Sequence, residues 1–247
     1  RDGTPIPQVT DATEWANLTT GAWCYGDSIV NGDIIQGIRI YNGYAVAGIH
    51  DNDPNTPNKE LAPEGWHVPS DEEWTTLENY LIANGYNYDG TTTGNKIAKA
   101  MASTTGWNYS PTAGTPGNAQ SINNSSGFNA LPTSSRFENG YITSPGVDSI
   151  ASFWTLTEPI NSSAQAYSRD LGWDWDYLIS HINNRRFGRS VRFVRDATSL
   201  STTDFSNSII MYPNPVKNML TIDGLVVKDV VIYSVLGKAV LKMSNQN

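Results

Sequence analysis

One stretch of this chain carries a complete helix signature, and its isolation limits what the rest can become. Ser70 with Glu73 three residues later forms a capping box, and Asp71, Glu72 and Glu73 place negative charge at the positive end of the helix dipole. Trp74, Leu77, Leu81 and Ile82 then recur on one stripe, and Asn84-Gly85 supplies the stop. A second, shorter helix is expected from about Asn95 to Ser103, with Ile97, Ala100 and Met101 inward. Elsewhere Asn31-Gly32, Asn42-Gly43, Asp89-Gly90 and Asn139-Gly140 mark turns. The strand-like runs between them are Ile38 to Ala47, Phe153 to Thr157, Ala166 to Leu171 and Ser190 to Val194. The pattern is α+β with long loops.

A single cysteine, Cys24, excludes an intrachain disulfide and a multi-cysteine metal site, so stability must come from packing. The 247 residues carry a net charge of −8, which gives no counterion-release drive towards nucleic acid. Residues 1–196 hold 12 Lys and Arg against 21 Asp and Glu, so the acidity belongs to the first part of the chain. No run approaches the roughly 20 apolar residues of a membrane span. The chain starts at Arg1 without a hydrophobic leader, which implies a removed signal or a fragment.

Small polar residues dominate 197–208, which reads as a linker between a domain at 1–196 and a second at 209–247. The second opens Met211-Tyr212-Pro213-Asn214-Pro215, where two prolines fix a rigid turn. Leu220 and Ile222 then alternate with polar residues, and Val230–Tyr233 with Gly237–Leu241 reads as a hairpin. The Tyr212-Pro213-Asn214-Pro215 opening and the Tyr233-Ser234-Val235-Leu236-Gly237-Lys238 segment resemble the C-terminal sorting domain of type IX secretion substrates. The resemblance implies a small antiparallel β-sandwich, recognition by the type IX machinery, and a secreted or outer-surface location. Such domains continue for further strands, so the sandwich is expected to be incomplete. Val240, Leu241 and Met243 should then be poorly covered, in a mobile or partner-stabilised tail.

Four motifs occur in order in the first domain: Pro63-Glu64-Gly65-Trp66-His67-Val68-Pro69 leading into Trp74, Gly127 to Pro132, Phe153 to Glu158, and Ser190 to Asp196. Together they resemble the Fibrobacter succinogenes major paralogous domain over roughly Asp11 to Asp196. That family is similar to formylglycine-generating enzymes and C-type lectins, which implies a C-type-lectin-like α+β domain with two helices and an irregular antiparallel sheet. Gly65, Trp66, Pro69, Trp74, Trp154 and Arg192 are then structural: Gly65 permits a tight turn, Trp66 buries a large surface, and Pro69 ends the extended piece before the Ser70 cap. Some members carry a cysteine pair where this chain has Ala62 and Phe193, so an apolar contact is expected in place of a bridge. The copper-holding cysteine pair of formylglycine generation is also missing, since Cys24 stands alone. No nucleophile-elbow sequence or anchored carboxylate pair supports another catalytic class.

Binding is therefore expected rather than catalysis. Trp173-Asp174-Trp175-Asp176-Tyr177 follows Gly172 in a loop, and alternation would set the three aromatics on one face for sugar stacking, with Asp174 and Asp176 beside them to accept hydroxyls or hold Ca²⁺. The same aromatics could instead fill the core. Glu158-Pro159-Ile160-Asn161 loosely matches the Glu-Pro-Asn of sugar-binding lectins and adds Glu158 to the ligand candidates. Asp51 and Asp53, near His50, are candidate metal ligands, although the Gly and distal Glu of an EF-hand are missing. His67 reads as a hydrogen-bonded turn residue, Arg192 and Arg195 as partners of Glu158 or Asp170, and Arg185, Arg186 and Arg189 as a solvated loop. The expected function is a cell-surface binding or adhesion module, with glycan or surface protein as partner. The alternatives are a structural subunit of an extracellular assembly and an enzyme with different chemistry.

Overall fold

A computed structural model describes residues 3, 5–30, 32–144, 149–196, 210–212, 221–223, 229–233 and 239–244. The chain divides into two compact units, Arg1–Asp196 and Ala197–Asn247. In order, the first holds α1 (Ala12–Ala16), β1 (Trp23–Val30), β2 (Asp33–Asn42), α2 (Gly43–Val46), β3 (Trp66–His67), α3 (Asp71–Ala83), α4 (Ala98–Met101), β4 (Ile150–Trp154), β5 (Gln165–Gly172), β6 (Ile179–Asn184), β7 (Gly188–Arg189) and β8 (Val194–Arg195). The second holds β9 (Ile210–Tyr212), β10 (Thr221–Asp223), β11 (Asp229–Tyr233) and β12 (Ala239–Ser244). It is a mixed fold of small antiparallel sheets with few helices.

α3 forms where its local signals place it. Ser70 accepts from the Glu73 N–H and the Glu73 carboxylate accepts from the Ser70 N–H, closing the capping box. Its Trp74 and Leu81 bury against Ile97, Met101, Phe153 and Leu171 in the main core. Arg169 of β5 fastens the helix, donating to Asp71 Oδ1 at 2.7 Å, Glu78 Oε2 at 3.0 Å and Thr75 Oγ1 at 2.7 Å. The second helix is shorter than expected: only Ala98–Met101 is helical, although Ile97, Ala100 and Met101 do point inward.

β4, β5 and β6 form the central antiparallel sheet, with Ser152 opposite Asp170 and Ser168 opposite His181. Strand alternation therefore sends Arg169 and Leu171 towards α3, and Ser168 and Asp170 to the other face. β1, β2 and β7 form a second sheet, and Ser190, just beyond β7, bridges to Phe153 of β4. Asn42-Gly43 is not the expected hairpin turn. The Asn42 side chain caps α2 by accepting from Ala45 N–H at 2.9 Å, and a Cβ on Gly43 would lie 2.9 Å from the Arg185 α-carbon. Leu61, next to Ala62, and Phe193 both pack on one cluster with Val46, Val68, Trp154 and Ala166, so the two segments that flank β3 and β8 share an apolar core.

Trp66 corrects the expectation of a buried tryptophan. It is 40% exposed on the two-residue ladder opposite Arg195, and the burial falls to Val68 and Trp74 instead. Trp154 is fully buried, and Gly65 has a φ of 76°, the left-handed turn its position needs. In the second unit β9 pairs with β10 and β11 with β12, both antiparallel, as expected for a small β domain of this kind. Val240, Leu241 and Met243 are exposed. Tyr212 ends β9, whereas Pro213, Asn214, Pro215 and the linker 197–208 lie outside the described residues.

Candidate functional site

Behind the central sheet lies a buried polar network that ends at the surface beside two aromatic rings. Asp170 is 3% exposed, and its Oδ1 accepts from Ser152 Oγ at 2.7 Å and Ser168 Oγ at 3.1 Å, with Arg189 Nη1 at 3.4 Å. Arg189 also donates to Ser152 Oγ and to Asn183 Oδ1. Asp170 Oδ2 faces His181 Nδ1 at 2.9 Å. Burial alone would raise the Asp170 carboxyl, but the Arg189 charge and the bonds from His181 and Ser152 hold it below the ordinary carboxylate value. A carboxylate in that position keeps the proton on Nδ1 of a neutral imidazole and leaves Nε2 as an acceptor. Among the described residues, His181 Nε2 has no partner.

His181 meets Trp175 edge-on, with ring centroids 6.4 Å apart. Trp175 in turn lies parallel to Tyr177, at 6.2 Å and 9°. Gly172 makes this possible, because a Cβ there would lie 2.5 Å from the Trp175 ring. Tyr177 is exposed, as is Asp174, and Asp176 is half-buried. Trp173 departs from the expected common face. The loop turns instead of running extended, so two-residue alternation does not apply, and Trp173 packs against the main core with its carbonyl accepting from Gly117. Of the three aromatics, one serves the core and two form the rim.

Glu158 is not part of this site. It lies beyond Trp154, at the opposite end of β4 from the Gly172 pairing, and accepts from Arg185 Nη2. Arg185 is 1% exposed and also donates to Gly43 O and Ser163 O, so the expected solvated arginine loop is mostly buried. Arg192 does not pair with an acid either. It stacks 4.4 Å over Phe128 and donates to that residue's carbonyl. The acids named for it are held by Arg185 and Arg189, because the strand register carries those arginines to them.

In the His50 loop, Asp51 Oδ1 accepts from the Asp53 N–H and Asp53 Oδ1 from the Asn55 N–H, both at 2.9 Å, while Asp51 Oδ2 lies 3.4 Å from His50 Nε2. One oxygen of each carboxylate is thus engaged in a local turn. Among the described residues, no three His, Cys, Asp or Glu side chains converge as a metal site.

His67 clasps the end of the first unit. Its Nδ1 lies 2.6 Å from Asp196 and its Nε2 2.7 Å from Glu73. The Asp196 bond, then the Glu73 bond, raise the imidazole above its ordinary 6.5. Burial would raise Glu73, but bonds from the Ser70 N–H and His67 bring it below 4.5. A raised histidine contributes stability that is full below its unfolded value and fades as pH rises through the folded one; the lowered carboxyl contributes above its own titration. The urea stability lost in His67→Gln should therefore be greatest just below pH 6.5 and shrink as pH climbs above it. A loss independent of pH would contradict the clasp.

Fold and site together define a strand-rich α+β domain with a buried ion-pair network behind an aromatic rim, followed by a small antiparallel β unit. Residues 1–195 match the Fibrobacter succinogenes major domain, and the chain belongs to that family. Residues 210–247 match the secretion system C-terminal sorting domain. The sorting domain directs export by the type IX machinery to the cell surface or the extracellular space. No curated protein and no solved structure matches the chain. Among the described residues, no helix is long and apolar enough to cross a membrane.

Proposed function

We propose that the chain is an exported binding module whose first unit, in a C-type-lectin-like arrangement related to formylglycine-generating enzymes, holds carbohydrate against Trp175 and Tyr177. The observation that carries this reading is the pairing of those parallel rings with His181, whose tautomer is held by a buried carboxylate. Sugar rings offer C–H faces to aromatic surfaces and hydroxyl donors to acceptors. His181 Nε2, Asp174 and Asp176 all accept. A buried ion pair adds little net stability, so its placement directly behind the rim fits a positioning role.

An enzymatic reading has one specific support, because a buried carboxylate against imidazole is also the way a general base is oriented. Ser152 and Ser168 both bond the Asp170 oxygen that faces away from His181, so such a base would act on water or a ligand hydroxyl. A structural role in an extracellular assembly predicts ordered oligomers without ligand.

The binding reading is tested by affinity electrophoresis of the full chain through gels containing soluble polysaccharides. Tyr177 is exposed, so Tyr177→Ala removes a ring at little cost to the core. Loss of both rings in Trp175→Ala, Tyr177→Ala should weaken retention at least about fivefold, given about 0.5–1.5 kcal/mol per aromatic contact. Equal retention of wild type and double variant would sink the reading.

A further inference from the structure

A second cleft lies away from the aromatic rim, where the segment containing Ile6 and Pro7 runs beside β1. Trp23 pins that segment, donating from Nε1 to Ile6 O at 2.9 Å and from its N–H to Pro7 O at 3.1 Å. This open cleft has a volume of about 480 Å³, within the range of roughly 300–1,000 Å³ usual for small-molecule sites. Ile6, Pro7, Tyr41 and Ile49 contribute apolar lining, and among the described lining residues the cations Arg39 and Lys59 stand against the acid Glu60. In a unit with 21 acidic residues against 12 basic ones, that local excess of cations runs opposite to the domain's charge.

Arg39 stands apart from the arginines between 136 and 192. Arg136, Arg169, Arg185, Arg186, Arg189 and Arg192 each donate to a carbonyl, hydroxyl or carboxylate. The exposed Arg39 guanidinium instead lies over the Trp23 ring, its Cζ 4.7 Å from the centroid, with no hydrogen-bond acceptor among the described residues. Trp23 is itself braced edge-on by Tyr25 at 5.0 Å. A guanidinium whose donors face solvent, backed by an aromatic ring at the edge of an apolar cleft, suits a planar anion.

We propose that this cleft binds a small organic carboxylate, with the carboxylate on the Arg39 fork and the apolar body against Ile6, Pro7 and Ile49. The site is independent of the aromatic rim and of the carbohydrate reading.

The test is a titration of the full chain with cyclohexanecarboxylate, followed through the Arg39 Nε–H and Trp23 Nε1–H resonances. Cyclohexanecarboxamide, of the same shape without charge, and inorganic phosphate are titrated in parallel. Saturable shifts are expected with the carboxylate, at an affinity at least tenfold above that of either control. Arg39→Gln should weaken it at least tenfold, and Arg39→Lys, which keeps the charge but loses the fork, by several-fold. The proposal is overturned if no shift occurs at millimolar carboxylate, if the amide or phosphate binds as tightly, or if Arg39→Gln leaves the affinity unchanged.

Discussion

Arg136→Met is expected to cost the first unit about 2–6 kcal/mol, one of two large stability effects tied to buried arginines. Arg136 is fully buried and has no carboxylate partner among the described residues. Its Nε donates to Gly140 O at 3.1 Å, Nη1 to Val9 O at 2.7 Å, and Nη2 to Thr10 O at 3.0 Å and Asp11 O at 2.9 Å. The guanidinium also lies 4.3 Å over the buried Trp15 ring. One side chain thus satisfies four carbonyls from two segments more than 120 residues apart in sequence. Methionine fills similar volume but donates nothing; Asp11 O keeps the Trp15 N–H, whereas the buried Val9 and Gly140 carbonyls lose their donor, at about 1–3 kcal/mol each. All eight tryptophans lie within residues 1–196, so urea unfolding read by tryptophan fluorescence reports this unit alone. A loss under about 1 kcal/mol would mean that water replaces the guanidinium, and that Arg136 does not join the two segments.

Asp170→Asn should destabilise the same unit by about 3–5 kcal/mol, because it strands the Arg189 charge in the interior. Arg189 is 8% exposed, and its Nε already has no partner. The substitution is nearly isosteric, so the loss is electrostatic and not a cavity effect. Because the folded carboxyl lies below its ordinary value of 3.8, the contribution is present above that pH and is lost as pH falls through the folded value. The difference between wild type and Asp170→Asn should accordingly be level near neutrality and shrink only in strong acid. An asparagine amide would also donate towards His181 Nδ1 and move the ring proton to Nε2, so ligand retention should fall even where the variant remains folded. A variant as stable as wild type would mean that the network behind the rim is not an ion pair under strain of burial.

What could be read from the sequence was local. The capping box and stripe of α3 act within one turn of their residues, and the sequence places the helix within a residue of its observed ends. The Tyr-Pro-Asn-Pro opening is likewise a contiguous string. The candidate site was legible only in part, because its geometry depends on register. Trp175 and Tyr177 could be named from a run of aromatics, but His181 becomes the partner of Asp170 only when β5 and β6 pair antiparallel. The usable signal was the spacing Ser168-x-Asp170, two polar residues on one face of a strand that is otherwise buried. The arginines misled for the same reason. Arg185-Arg186 and Arg189 read as solvated because their acceptors, Gly43 O, Ser163 O, Leu18 O and Ser152 Oγ, come from distant segments. Asn42-Gly43 has the form of a hairpin turn, yet here glycine is needed for close approach to Arg185.

The measurement that bears most directly on the binding account is a glycan-array screen of the full chain, in Ca²⁺ and in chelator, beside the Trp175→Ala, Tyr177→Ala double variant. The account predicts a defined set of bound glycans for wild type and their loss in the variant with folding intact. A folded wild-type chain that binds no glycan in either condition, or a double variant that keeps the same set, would contradict it and return those rings to a structural or protein-binding role.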